Sequence, residues 1–114
     1  MSHVVYESRR NVYRAAVNHF GSEHQLNKFD EELGEFLTEY GRMRNGGRGD
    51  RKKLAEELAD LTIMLEQLRL IFDINDLVVD YMDMKVLRLL DQLQGDGRPW
   101  MLPNDRLSGL EDLL

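Results

Sequence analysis

Residues 54–72 read Leu54-Ala55-Glu56-Glu57-Leu58-Ala59-Asp60-Leu61-Thr62-Ile63-Met64-Leu65-Glu66-Gln67-Leu68-Arg69-Leu70-Ile71-Phe72. Leu54, Leu58, Leu61, Leu65, Leu68 and Phe72 recur at alternating steps of four and three, the period of one face of an α-helix. Ala59, Ile63 and Leu70 fall on a second face, and Met64 and Ile71 on a third. A helix apolar on most sides is expected to be covered on most sides. Asp50, just ahead of it, has the side chain of an N-cap.

Working outward, Asn45-Gly46-Gly47-Arg48-Gly49 separates this helix from an earlier one. That earlier helix carries Leu26, Phe29, Leu33, Phe36, Leu37, Tyr40 and Met43 as one stripe. Ser22 followed by Gln25 gives it a capping-box start. Gly21 closes a first helix running from about Val5 to Phe20, with Val12, Tyr13, Ala16, Val17 and Phe20 at helical spacing. Downstream, Asn75 opens a fourth, with Val79, Met82, Val86, Leu89, Leu90 and Leu93, and Gly95-Asp96-Gly97 ends it. Both prolines, Pro99 and Pro103, lie beyond that point. The expected fold is all-α, a four-helix-bundle-like core forming a single domain over 1–94. Residues 95–114 read as an irregular C-terminal arm in which Trp100 packs on a groove.

The chain has 114 residues, enough for one domain with a real core. It has no cysteine, which excludes a disulfide scaffold, a zinc–thiolate site, an iron–sulfur cluster and a cysteine nucleophile. Fifteen Lys and Arg against 21 Asp and Glu leave a net charge of -6, which argues against a nucleic-acid binder. The central apolar run Leu61-Thr62-Ile63-Met64-Leu65 is far short of the ~20 residues a bilayer needs, so no membrane partner is expected. The segment Met1-Ser2-His3-Val4-Val5-Tyr6-Glu7 has no signal-peptide core, and the expectation is a cytoplasmic chain.

The acids carry the chemistry. At roughly 100° per residue, placing Glu32 at zero puts Glu35 at roughly −60° and the apolar stripe of its helix between roughly +20° and +140°. Placing Glu57 at zero puts Asp60 at roughly −60° and the leucine stripe between roughly +20° and +100°. Each helix thus carries an acid pair at i, i+3 on the same edge of its stripe. If the stripes pack as an antiparallel hairpin, Glu32, Glu35, Glu57 and Asp60 converge at one rim of the core. Their mutual repulsion is relieved by a hard divalent cation such as Mg²⁺, which takes oxygen ligands. Solvated acidic faces are also common, and Lys28 could pair with Glu32 at i, i+4. Glu31, Glu39 and Glu56 lie further from the rim or lack a matching partner and read as solvated or supporting.

Other chemistries lack their residues. His3, His19 and His24 offer no Glu-x-x-His for a di-iron bundle and no His-Glu-x-x-His zinc motif. The Gly-rich loop 45–50 lacks the order of a phosphate-cradling Gly-x-x-x-x-Gly-Lys-Ser/Thr.

Glu31-Glu32-Leu33-Gly34-Glu35 fits Glu-Glu-x-x-Glu, and Glu57-Leu58-Ala59-Asp60 fits Glu-x-x-Asp on the next helix. With these paired motifs the chain resembles the MazG-like all-α nucleoside triphosphate pyrophosphohydrolases, over about Phe20 to Leu93. Phe20-Gly21, His24-Gln25-Leu26 and Lys28 are similar to the segment that leads into the first motif. Residues 61–68 are similar to the family's hydrophobic continuation, and Lys85-Val86-Leu87-Arg88-Leu89-Leu90 to its basic fourth-helix segment. The resemblance implies hydrolysis of a nucleoside triphosphate to the monophosphate and pyrophosphate. It implies Mg²⁺, with Mn²⁺ as a substitute, held by Glu32, Glu35, Glu57 and Asp60. Lys28, Lys85 and Arg88 then become candidates for holding phosphates, and Phe20, His24 and Gln25 for the base.

Phosphoribosyl-ATP pyrophosphohydrolase carries similar acids but follows its aspartate with a Leu and a Tyr-His pair, where this chain has Leu61-Thr62-Ile63-Met64. A reading from another class is a non-catalytic helical dimer serving as an accessory module. The apolar breadth of the third helix points to a homodimer or higher homo-oligomer in either case.

Overall fold

Gly21, at φ 92°, takes a left-handed conformation that side chains disfavour and turns the chain between two helices in one residue. The structure, a computed structural model, describes residues 6–98. Four helices follow one another: α1 (Tyr6–Phe20), α2 (Ser22–Arg44), α3 (Arg51–Ile71) and α4 (Asn75–Gly95), with no strand among the described residues. The expected arm lies outside the described residues from residue 99 onward, Trp100 included. The chain divides into two compact units, the first ending at Asn75 and the second beginning at Asp76. In the first, α1, α2 and α3 pack together. The described part of the second is α4, exposed along most of its length with Leu90 buried, and the short stretch after it.

The helix ends show which local signals act. Ser22 is already helical and Gly21 holds the N-cap position, so no side chain caps α2. The expected capping box does not form because the one-residue turn leaves no room for it, and the Gln25 side chain points inward instead. Asp50 does cap α3: its carboxylate accepts from the Lys52 backbone N–H at 2.9 Å. α3 closes with Asp73 at φ 53°. There the Ile74 N–H donates to the Arg69 carbonyl at 3.0 Å and the Asp73 N–H to the Leu70 carbonyl at 3.1 Å. This is the paired C-terminal cap usually built on glycine, here on an aspartate that tolerates the left-handed region.

α2 and α3 run antiparallel. Gln25 meets Gln67 at one end of the pair, through an amide–amide hydrogen bond of 2.7 Å. At the other end the Glu39 carboxylate accepts the Asp50 backbone N–H at 2.8 Å. The buried residues of α2 are Gln25, Glu32 and Glu39, seven residues apart. Those of α3 are Glu57, Leu61, Met64 and Gln67. The helices therefore face each other along the direction of Glu32 and Glu57. That direction is rotated by roughly 60–80° from the middle of each apolar stripe. Only one edge of the leucine stripe enters the seam: Leu61 is buried and Leu54 and Leu68 are half-buried, while Leu58, Leu65 and Phe72 remain 47%, 44% and 56% exposed.

Gly49 sits where α3 is drawn back onto α2. A Cβ at this position would lie 2.8 Å from the Met43 Cα and overlap the Met43 side chain. Gly34, mid-helix, has open space around it. Gly49→Ala is expected to destabilise by ~1–3 kcal/mol through overpacking. Gly34→Ala should stabilise by ~0.5–1 kcal/mol through helix propensity. Urea unfolding midpoints of the two variants should move in opposite directions.

Candidate functional site

Glu32, on the third turn of α2, and Glu57, on the second of α3, are only 6% and 4% exposed because both point along the seam. One oxygen of each has a cationic partner four residues earlier on its own helix. Lys28 Nζ lies 3.5 Å from Glu32 Oε1, and Lys53 Nζ lies 2.9 Å from Glu57 Oε1. The other oxygens, Glu32 Oε2 and Glu57 Oε2, are buried without a hydrogen-bond partner. Glu35, exposed one turn after Glu32, completes a group in which one carboxylate oxygen of each residue lies within 4.8 Å of the others.

The Glu35 carboxyl is held above the ordinary glutamate range. The largest cause is the negative charge of Glu32, followed by some loss of hydration and by the charge of Glu57. The Lys53 ammonium is held above its ordinary range, first by its hydrogen bond to Glu57 and by that carboxylate's charge, then by Glu56 at 3.6 Å.

Of the four sequence-predicted acids, the fold brings Glu32, Glu35 and Glu57 together. Asp60 is half-buried one turn further along α3 and is not in the 4.8 Å group. Glu31 and Glu56 are exposed, as expected of outward acids. Glu39 is not solvated: it is 3% exposed and binds the Asp50 N–H and Arg42, the latter at 3.3 Å. Its role is to fasten the interhelix loop.

Lys28 makes the ion pair with Glu32 that its spacing allowed. Phe20 and His24 stack at 5.3 Å between ring centroids. His24 Nδ1 donates to Gln25 Oε1 at 2.7 Å, and Gln25 passes the chain on to Gln67. This group sits two turns of α2 before Glu32, roughly 10 Å along the helix axis. Lys85 and Arg88 are exposed on α4. Lys53, Arg42 and the buried amide of Gln67 are the site neighbours that sequence reasoning missed. Lys53 had a signal, since Lys-x-x-x-Glu ending at Glu57 repeats the spacing of Lys28 and Glu32.

Buried carboxylate oxygens without donors are costly to keep. Three carboxylates around them form a donor set suited to a hard divalent cation such as Mg²⁺. The two orphaned oxygens therefore fit such an ion. No described helix is long and apolar enough to cross a membrane. Compared with family models, with curated proteins and with solved structures, the chain finds no match.

The raised Glu35 carboxyl fixes the sign of a pH effect. A glutamate that holds its proton more tightly when folded adds stability at low pH, fully present below its ordinary value of 4.5. That contribution is lost as pH rises through the raised folded value. Glu35→Gln, which has no charge to lose, is expected to melt above the parent protein at neutral pH in the absence of divalent ions. The gap should shrink as pH falls toward 4.5. Melting curves across that range check it.

Proposed function

We propose that the protein is a Mg²⁺-dependent nucleoside triphosphate pyrophosphohydrolase of the MazG-like kind, acting as a homodimer. The observation that carries this reading is the pair of orphaned oxygens, Glu32 Oε2 and Glu57 Oε2, buried next to Glu35. The Glu-Glu-x-x-Glu and Glu-x-x-Asp motifs supply those acids and give the reading its substrate class.

Glu32, Glu35 and Glu57 would hold the cation; Asp60, one turn further along α3, stands outside their group. A bound Mg²⁺ neutralises the triphosphate and lowers the pKa of water at the site. Glu35, the exposed member, orients the attacking water and takes its proton at the carboxylate. Water oxygen bonds to the α-phosphorus, the bond to the bridging oxygen breaks, and pyrophosphate leaves. The chain needs no covalent nucleophile, and with no cysteine it offers no thiol for one.

The homodimer rests on a separate observation. Leu58 and Leu65 on α3 and Phe72 at its C-cap, seven residues apart, form an exposed apolar row. A second copy is the simplest cover for it. The same row favours the second reading, a non-catalytic helical dimer, which predicts no turnover.

Hydrolysis of nucleoside triphosphates in ¹⁸O-water separates the readings. Label in the monophosphate and none in pyrophosphate is expected; orthophosphate with a diphosphate product contradicts the proposed bond. Glu32→Gln and Glu57→Gln should each lower turnover on the order of 100-fold or more, the scale of losing one charge-stabilising group. Glu56→Gln should stay within a few-fold of the parent. Sedimentation at micromolar concentration should give the mass of a dimer, and a monomer contradicts that part.

A further inference from the structure

The loop that leaves α2 reads Asn45-Gly46-Gly47-Arg48-Gly49 and holds the only Asn-Gly pair of the sequence. Asn45 is exposed at the C-cap of α2, with φ −107° and ψ 66°. Its backbone N–H makes the last bond of the helix ladder, to the Gly41 carbonyl at 3.0 Å. The Asn45 side-chain amide and the Gly46 N–H have no hydrogen-bond partner among the described residues. Gly46 and Gly47 follow at φ 88° and 73°, with open space where a Cβ would stand.

We propose that Asn45 is a site of spontaneous covalent modification, deamidation through a cyclic imide, and that the product loosens the loop between α2 and α3. The Gly46 nitrogen gives up its proton and bonds to the Asn45 Cγ. The Cγ–Nδ2 bond breaks, and the side-chain nitrogen leaves as ammonia with that proton. Water then adds to either carbonyl of the imide ring and reopens it. Breaking the bond from nitrogen to Cγ leaves aspartate. Breaking the bond from nitrogen to the main-chain carbonyl carbon leaves isoaspartate, whose backbone runs through Cβ and Cγ. The net change is amide and water to acid and ammonia, with no oxidant or other co-reactant.

The local structure favours each part of this. Glycine has no Cβ to obstruct the approach of its nitrogen. An N–H without an acceptor breaks no hydrogen bond to react, whereas inside a helix it would be tied to the carbonyl four residues back. Ring closure needs a rotation about ψ of Asn45, and two following glycines absorb it because they tolerate either sign of φ. Arg44 and Arg48 flank the pair, and positive charge nearby favours the deprotonated nitrogen. The other described asparagines, Asn11, Asn18, Asn27 and Asn75, lie in helices and precede residues with side chains. Asp96-Gly97 could close the same ring, with Gly97 at φ 85°. There Arg98 Nε and Nη2 donate to the two carboxylate oxygens at 2.7 Å each. This bond holds the Asp96 carboxyl below its ordinary range, in the charged form that is a poor target for attack.

The loop is fastened at its far end, where Glu39 accepts the Asp50 N–H at 2.8 Å and Gly49 lies against Met43. Isoaspartate lengthens the backbone inside that fastened span by a methylene. Either product also places a negative charge at the C-terminal end of α2, which the helix dipole disfavours.

Peptide mapping by mass spectrometry tests this on the full chain, kept folded in neutral buffer made with ¹⁸O-water and sampled over time. The peptide holding Asn45 should exchange its amide for a carboxylate carrying ¹⁸O, as two products of equal mass that separate by chromatography. Ammonia should appear in equal amount. Asn45→Gln, whose imide ring would be larger and slower to close, should show neither change, and Asp96 should stay unmodified. The converted parent should melt a few degrees below fresh protein, while Asn45→Gln incubated alongside should melt as it did at the start. An Asn45 that keeps its amide in the folded chain while the urea-unfolded chain converts overturns the site. So does isoaspartate accumulating first at Asp96. A converted parent that melts with the fresh protein overturns the loosening of the loop.

Discussion

Two carboxylates, Glu32 and Glu57, face each other inside the seam between α2 and α3, and much of the first unit is arranged around that placement. Taking carboxylates out of water costs several kcal/mol per ion, on the order of magnitude seen after relaxation in real proteins. The chain offsets part of this with one lysine on each, Lys28 and Lys53, and leaves one oxygen of each unsatisfied. Amides or leucines at both positions would hold the helices together at less cost. Acids there are understandable if something positive occupies the space between them, which is the physical ground for the proposed cation.

The rest of the packing follows. With the polar edges turned inward, the ends of the seam are also closed by polar groups, Gln25 with Gln67 and Glu39 with the Asp50 backbone. Leu61 and Met64 supply the apolar filling between the ends. The leucine stripe of α3 is left turned partly outward, with Leu58, Leu65 and Phe72 in one exposed row. One geometric choice thus yields both an acid-lined centre and an exposed apolar row on α3.

Helix positions were legible because they rest on local chemistry. Gly21, the loop 45–50, Asp50 and Gly95 mark ends that coincide with those of the structure. The acid trio was legible because spacing fixes the angles within a helix. Which of those angles faces the neighbouring helix is a different matter, set by the packing of whole surfaces. α3 is apolar almost all round, so its sequence gives little direction, and the obvious leucine stripe pointed about a sixth to a quarter of a turn away from the true seam. Of the two readings of Glu39, solvated or supporting, the structure keeps the second, since burial depends on that rotation. Its bond to the Asp50 N–H joins residues eleven apart through a loop whose path no spacing rule gives. Ser22 failed as a cap because a one-residue glycine turn had already placed it inside the helix.

Thermal unfolding in increasing MgCl₂, set against NaCl at matched ionic strength, tests whether the buried acids of the seam hold a divalent cation. A ligand that binds the folded state alone stabilises by mass action, by about 2.7 kcal/mol at one hundred times its dissociation constant. The predicted result is a rise in melting temperature specific to Mg²⁺ that is abolished in Glu57→Gln. A melting temperature that responds to MgCl₂ no more than to NaCl, or equally in Glu57→Gln, would contradict it.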